Sequence, residues 1–166
     1  MMNRLFILKP LFSLILALCA VAFTPNKSFA EQAIDPALKQ ALADAISDAD
    51  SFNDEFDAQV WLVDMSARLK RFIKNPKKRL DLLRMIHQEA KRADLSPELV
   101  ISVIHVESAF NPYAVSYVGA QGLMQVMPFW KNEIGHPDDN LNEIHTNLKY
   151  GCAILSLYLK KETSGM

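Results

Sequence analysis

Apolar residues recur at three- and four-residue intervals along most of the chain after residue 31. This spacing is typical of one face of an α-helix, whereas no useful stretch alternates apolar and polar residues as a strand would. A first helix is predicted to start near Asp35-Pro36. A second is predicted to continue to about Ile73, because Asn75-Pro76 follows it. The apolar positions that mark these two helices are Leu38, Leu42, Ile46, Phe56, Val60, Val63 and Ala67.

Three further segments have the same helical pattern. One extends from about Lys77 to Ala93, the next begins at Ser96-Pro97, and the last covers residues 147–159. Ser96 can accept a hydrogen bond from a free amide of the first turn, and proline suits the first helical position. The fold class is therefore predicted to be all-α.

Glu107 falls inside the apolar stripe of the helix that begins at Ser96-Pro97. At about 100° per residue it lies one turn beyond Val103 and Ile104, so we expect its side chain to point inward. Burial disfavours the charged form of a carboxyl, which would keep a proton available for general acid catalysis. The alternative is that Glu107, near the helix end, reaches water or pairs with a basic side chain.

The residues after Glu107 predict a loop that turns back. Asn111-Pro112 ends the helix, because the residue before a proline is pushed out of the α region. Gly119 and Gly122 can supply positive φ or a close backbone approach, after which residues 123–127 are predicted to begin a second, short helix.

Such a loop would carry two polar side chains towards Glu107. The hydroxyl of Ser116 and the amide of Gln125 could then bond the carboxyl or a ligand beside it. The alternative is that both side chains only satisfy backbone groups within the loop.

Residues 107–128 resemble the first two catalytic motifs of the soluble lytic transglycosylase family, whose fold is related to goose-type lysozyme. The matching motifs are Glu107-Ser108, Ala114-Val115-Ser116, Gly119-Ala120-Gln121-Gly122-Leu123-Met124-Gln125 and Met127-Pro128. The resemblance extends over about residues 80–155. It implies that Glu107 is the catalytic acid/base and that Ser116, Gln125 and Met127 line the sugar site. The implied substrate is the glycan strand of peptidoglycan, with no cofactor.

The family is understood to use one carboxylate to cleave the glycan strand between N-acetylmuramic acid and N-acetylglucosamine, with formation of a 1,6-anhydro product. Most glycosidases use two carboxylates. The motif region of this sequence supplies one, because the twenty-five residues between Glu107 and Glu133 contain no acid. A lysozyme-like hydrolase remains an alternative, since Glu133 or Asp138 could approach in the fold. So does a glycan-binding or scaffold module without catalytic activity.

The chain is predicted to have three parts: a signal peptide at 1–30, a helical region at 31–75 and the catalytic domain at 76–166. Arg4 and Lys9 precede a largely apolar stretch of thirteen residues, too short to span a bilayer comfortably. A periplasmic location follows, and membrane attachment is expected only if Cys19 is lipidated. The family's third motif, a tyrosine-asparagine pair on a later helix, is not found, so the domain is expected to be incomplete at its C-terminal end.

Charge and cysteine content narrow the function further. Without residues 1–30 the chain has 15 basic and 19 acidic residues, which gives no case for nucleic-acid binding. Cys152 is then the remaining cysteine, and its helical surroundings predict a buried apolar role. His105 and Glu107 lie about 200° apart on their helix, so they cannot bind one metal ion together.

Two surface features stay open. A basic cluster is expected to be a solvated helix surface, with anionic cell-wall polymer or phospholipid headgroups as the alternative partners. Its residues are Arg68, Lys70, Arg71, Lys74, Lys77, Lys78 and Arg79. Of the aromatic pair Phe129 and Trp130, one is expected to pack in the core, and the other could stack on sugars.

Overall fold

The computed structural model describes residues 36–47, 51–52 and 54–165. These residues form six helices, which we number in chain order. They are α1 Pro36–Ser47, α2 Glu55–Leu69, α3 Pro76–Arg92, α4 Pro97–Ser108, α5 Trp130–Ile134 and α6 Ile144–Ser164. Within the described ranges no strand forms, apart from isolated β-bridges in the loop between α4 and α5. The all-α prediction is confirmed. The predicted signal peptide, including Cys19, lies outside the described residues.

Helix α3 is the centre of the fold, because α1, α2, α4 and α6 all pack against it. The sequence places five apolar residues at three- and four-residue steps along this helix: Leu80, Leu83, Ile86, Ala90 and Ala93. The first four are buried, as this spacing predicts, and Ala93 is half-buried. A helix with neighbours on so many sides also buries charged residues, and here these are Arg79 and Glu89.

Both buried charges on α3 have partners, as burial of an ionised group requires. The guanidinium of Arg79 donates to Ser66 Oγ at 2.7 Å and to the carbonyl of Ile73 at 2.7 Å. The carboxylate of Glu89 accepts from Arg92 Nε at 2.7 Å and lies 3.2 Å from His145 Nε2. These contacts tie α3 to α2 and to α6.

Two helices begin with the same local arrangement. The side chain of Asn75 accepts from the amide of Lys78 at 3.0 Å before α3, and that of Ser96 accepts from the amide of Leu99 at 3.3 Å before α4. In each case a proline follows at the first helical position. The cap satisfies an amide that has no partner within the helix. Both predicted starts are confirmed.

The predicted apolar positions of α2 do not face the core. Phe56, Val60 and Val63 are 72%, 54% and 50% exposed. The buried stripe consists of Ala58, Leu62, Ser66 and Leu69. Hydrophobic periodicity predicts the wrong stripe, because the buried one is interrupted by a polar residue, Ser66, whose hydroxyl accepts from Arg79. The helix also ends earlier than predicted, at Leu69 rather than Ile73.

One hydrophobic core joins helices from both predicted regions of the chain. It contains Leu42 of α1, Leu62 of α2, Ile86 of α3 and Leu148 of α6. The helices on either side of residue 75 are therefore packed on shared apolar side chains. None of the described helices is both long and apolar enough to cross a membrane.

Candidate active site

Glu107 lies in the last turn of α4, where the helix ends abruptly. Ala109 and Phe110 both have left-handed backbone conformations, with φ of 48° and 66°. Residues with a side chain rarely adopt this conformation, and strain of this kind collects at functional sites. Phe110 is held in place because its buried ring packs 5.0 Å from Phe72. The chain therefore reverses directly after the acid.

The side chain of Glu107 is exposed, so the prediction that it is buried is wrong. Val100 and Ile104 of the same stripe are fully buried. By residue 107, however, α4 has reached its end, and none of the described helices covers that position. The alternative, that the carboxyl reaches water, describes this structure.

The loop after α4 returns to the helix end, as predicted. Ser108, the neighbour of Glu107, donates through Oγ to the carbonyl of Leu123 at 2.8 Å. Within the loop, Gln121 and Val126 exchange two backbone hydrogen bonds, of 3.0 and 2.9 Å. The amide of Gly122 donates to the carbonyl of Ala114 at 2.8 Å. Residues 114–126 are thus fixed beside the residue that follows the acid.

Residues 123–127 do not form the short helix that the sequence predicted. Residues 122–125 make a turn, and the next helix, α5, begins at Trp130. Gly122 has φ of 76° and Gln125 has φ of 48°, neither of which is compatible with a right-handed helix. The prediction of positive φ at Gly119 and Gly122 is confirmed, since Gly119 has φ of 88°.

Ser116 and Gln125 bond to the loop itself. The hydroxyl of Ser116 accepts from the amide of Ala120 at 3.0 Å. The side-chain nitrogen of Gln125 donates to the carbonyls of Ala114 at 3.2 Å and Gly122 at 2.9 Å. Both side chains therefore have the backbone-satisfying role that the sequence left as an alternative. A contact of Ser116, Gln125 or the half-buried Met127 with a sugar stays a prediction.

Asn147 of α6 is a residue of the site that sequence reasoning missed. Its side chain is buried, accepts from the amide of Met124 at 2.8 Å, and donates to the carbonyls of Gln121 and Leu141, each at 2.8 Å. One amide thus fixes the loop to the core. In the sequence, Asn147 is recognisable only as a polar residue beside the apolar positions of α6. Its role could not be predicted, because its bonding partners are distant in sequence.

Exposed apolar side chains are frequent in residues 106–129, around the acid and along the loop. All are more than half exposed, and they are Val106, Tyr113, Val115, Tyr117, Val118 and Phe129. Trp130 packs against the core and stacks on Phe129 with ring centroids 5.1 Å apart. Trp130 is thus the core member of the aromatic pair. Exposed apolar surface of this kind is typical of ligand-binding grooves, and aromatic rings suit the apolar faces of sugars.

Three other titratable residues after Glu107 are hydrogen-bonded or buried within the protein, namely Asp139, Glu143 and Cys152. A hydrogen bond from the hydroxyl of Tyr150 lowers the pKa of Asp139. The carboxylate of Glu143 accepts from the amides of His145 at 3.0 Å and Thr146 at 2.6 Å, at the start of α6. Burial raises the pKa of the Cys152 thiol to about 12, so the predicted buried, non-nucleophilic role of this cysteine is confirmed.

Residues 84–164 match the family described as Transglycosylase SLT domain. This range contains Glu107, the loop with Ser116, Gln125 and Met127, and Asn147. The resemblance to this family that was noted from the sequence is therefore confirmed over residues 84–164.

Curated proteins named membrane-bound lytic murein transglycosylase C are similar to the chain. That of Actinobacillus pleuropneumoniae serotype 5b (strain L20) is 54% identical over 46 residues, which are 28% of this chain and 13% of that protein. That of Haemophilus ducreyi is 36% identical over 93 residues, or 51% and 25% of the two chains. That of Haemophilus influenzae (strain PittEE) is 33% identical over 90 residues, or 46% and 25%.

The chain thus spans no more than a quarter of the length of these relatives. No solved structure matches it at a significant level.

Proposed function

We propose that this chain provides the glycan-cleaving site of a peptidoglycan lytic transglycosylase, with Glu107 as the acid/base. The observation that carries this proposal is the placement of Glu107. It is a solvent-facing carboxylate at the abrupt end of α4, beside a loop tied back through Ser108 and Leu123. The family match over residues 84–164 and the names of the relatives support the same reading.

A single acid/base is favoured because several other carboxylates are engaged elsewhere. Glu89 is buried with Arg92 and His145, and Glu143 caps α6. Asp139 is kept ionised by its bond from Tyr150, so it is poorly suited to donate a proton. Glu133 and Asp138, which the sequence left open as a second carboxylate, are both exposed. Product analysis therefore decides between one acid/base and the pair of carboxylates that most glycosidases use.

The proposed reaction uses Glu107 twice. Its protonated carboxyl first donates a proton to the glycosidic oxygen, which leaves as a hydroxyl when the bond to the anomeric carbon breaks. The carboxylate then accepts the proton of the C6 hydroxyl of the same N-acetylmuramic acid, whose oxygen closes a 1,6-anhydro ring on that carbon. Glu107 ends protonated, as it began, and no water is consumed.

General acid catalysis requires a protonated carboxyl at the moment of cleavage. We infer that the bound strand favours this form, because it covers Glu107 and excludes water from the carboxyl. The exposed apolar side chains of residues 106–129 would then be covered by sugar rings. On this view the substrate completes the environment that the sequence led us to expect from burial.

Ser116, Gln125 and Met127 are proposed to act from the loop. The bonds of Ser116 and Gln125 to loop backbone fix the position of that loop, which productive geometry requires. The side-chain oxygen of Gln125 takes no part in the hydrogen bonds of its nitrogen to Ala114 and Gly122. We propose that this oxygen accepts from a sugar hydroxyl or amide.

The proposed place of action is the cell envelope, where peptidoglycan is found. The predicted signal peptide at residues 1–30 supports export to the periplasm. The relatives are named as membrane-bound proteins, but attachment of this chain through Cys19 is not part of the proposal.

Product analysis tests the reaction type. Purified glycan strands are incubated with the protein, and the released fragments are weighed by mass spectrometry. Anhydro-ended fragments support the proposal. Fragments with one added water would identify a lysozyme-like hydrolase, and strands that are retained but uncut would identify a binding module.

A further inference from the structure

The segment of residues 70–78, which we call the basic turn, connects α2 to the start of α3. No acidic residue occurs between positions 65 and 80. Four cationic residues of the turn are exposed and make no ion pair within the described part of the chain. They are Lys70, Arg71, Lys74 and Lys78.

The structure separates these four residues from the rest of the basic cluster. Arg79 is buried and bonded to Ser66. Arg68 pairs with Asp64 at 3.0 Å, and Lys77 lies 3.3 Å from Asp81. The exposed part of the cluster is solvated, as expected, and acidic partners lie beside only Arg68 and Lys77. The basic turn itself is a patch of one sign in a chain with a formal net charge of −1.

The basic turn lies against the end of the helix that carries Glu107. The guanidinium of Arg71 is 4.5 Å from the ring centroid of Phe72. That ring is 4.9 Å from His105 and 5.0 Å from Phe110, which lie on either side of Glu107 in sequence. The turn is thus fixed by aromatic contacts to the segment that positions the proposed acid.

His105 and Glu107 point to different sides of α4, about 200° apart. A ligand that occupies both Glu107 and the basic turn must therefore pass over the end of α4, across at least one helix diameter of roughly 10 to 12 Å. A peptide of three to five residues spans about 10 to 17 Å when extended. The peptide stems of peptidoglycan have this length and carry free carboxylates.

We propose that the basic turn binds the carboxylates of the peptide stems while the glycan strand lies at Glu107. The inference rests on the proposed function, and it names the part of the substrate that this patch recognises. Arg71 lies over Phe72, whose ring contacts the end of α4, and the three lysines extend the positive surface along the turn. The turn contributes affinity and no chemical step.

A phospholipid surface is a less suitable occupant. Cations alone contribute only about 1 kcal/mol each at an anionic membrane, and stable attachment adds apolar side chains that insert beside them. The large apolar side chains within the basic turn, Phe72 and Ile73, are half-buried and packed against the core. The exposed surface of the turn is therefore charged, which suits a hydrated polyanion.

The test measures binding of the protein to three materials by co-sedimentation, at low and high salt. The materials are intact peptidoglycan, glycan strands from which an amidase has removed the stems, and vesicles containing phosphatidylglycerol. The variant is Arg71→Gln with Lys74→Gln, and a second variant, Lys74→Gln with Lys78→Gln, leaves the ring contact of Arg71 intact. The matched control is Lys160→Gln with Lys161→Gln, which removes equal charge from exposed positions of α6.

Each test variant should bind intact peptidoglycan roughly 3- to 30-fold more weakly than wild type at low salt, and the difference should shrink at high salt. Binding to stripped strands should not change, and the control should bind like wild type.

Equal losses on intact and stripped material, or a loss confined to the vesicles, would overturn the proposal. Cleavage is measured separately: charge-dependent binding without cleavage rejects the proposed function alone, and cleavage without charge-dependent binding rejects the basic turn alone.

Discussion

The side-chain amide of Asn147 occupies the space that a side chain at Gly122 would need. A carbon added to Gly122 would lie 2.3 Å from Asn147 Nδ2 and 2.6 Å from the carbonyl of Leu141. The same amide bonds the backbone on both sides of this glycine, at Gln121 and Met124. The loop beside Glu107 is therefore fixed to α6 through one close approach.

Gly122→Ala is expected to destabilise the protein by roughly 3 kcal/mol or more, since the methyl group adds a clash to the cost of positive φ. Gly119→Ala is the matched control, because Gly119 also has positive φ but has open space around it. It should cost about 1 to 2 kcal/mol. Urea denaturation of both variants measures the difference, and equal losses would show that the approach to Asn147 does not matter.

Asn147→Ala should lower the free energy of unfolding by about 3 to 5 kcal/mol. The change leaves a buried amide and two carbonyls without their partner, and each unsatisfied group is costly. Asn132→Ala is the control, since Asn132 is exposed on α5. Thermal melts compare the two variants with wild type. A melting temperature for Asn147→Ala within a degree or so of the control would contradict this role.

Stability should fall as the pH drops from about 6.5 to about 4, in part because of His87. Burial lowers the pKa of this histidine to about 4. The positive charge of nearby Lys91 also lowers it, and the negative charge of Glu98 opposes both effects. In that interval the unfolded chain binds a proton on His87 that the folded chain does not. The free energy of unfolding therefore falls by roughly 1 to 3 kcal/mol. The ring stacks on Phe52 with centroids 3.6 Å apart, so His87→Phe can keep the stacking.

Urea denaturation at a series of pH values checks this effect. His87→Phe should reduce the slope between pH 6.5 and 4. A slope that is the same in wild type and His87→Phe would assign the acid sensitivity to other groups.

The exported protein is predicted to begin at or near Glu31. The basic start, the apolar stretch and Ser28-Phe29-Ala30 together resemble a signal peptide with a small-residue cleavage site. N-terminal sequencing of the protein recovered from the envelope measures the new terminus. A terminus at a lipid-modified Cys19 would show that the protein is a lipoprotein.

Much of the helical framework could be predicted because its signals are local. Asn75-Pro76 and Ser96-Pro97 each combine a capping side chain with a proline, and the apolar stripe of α3 is unambiguous. The buried face of α2 could not be predicted in this way. It contains Ser66, whose place in the core depends on Arg79 of another helix.

The candidate site was predictable in its residues and less so in its geometry. The motifs identified Glu107 and the loop, but burial of Glu107 depends on what lies over the end of α4, which periodicity along the helix does not describe. Asn147 was missed because its partners lie 6 to 26 positions away in sequence. Contacts of that separation leave no local pattern.

The central claim is that Glu107 is the sole acid/base, and Glu107→Gln tests it most directly. Glutamine keeps the size and hydrogen-bonding capacity of the side chain but cannot transfer the catalytic proton. The control, Glu162→Gln, changes an exposed carboxylate near the end of α6. Melting temperatures should match wild type in both, because neither carboxylate is buried.

The measurement is the initial rate at which anhydro-ended fragments are released from purified glycan strands. The account predicts a loss of at least 10²- to 10⁴-fold in Glu107→Gln, the range expected for proton transfer by a placed side chain, and an unchanged rate in Glu162→Gln. A rate for Glu107→Gln equal to wild type would place the catalytic acid elsewhere and contradict the account.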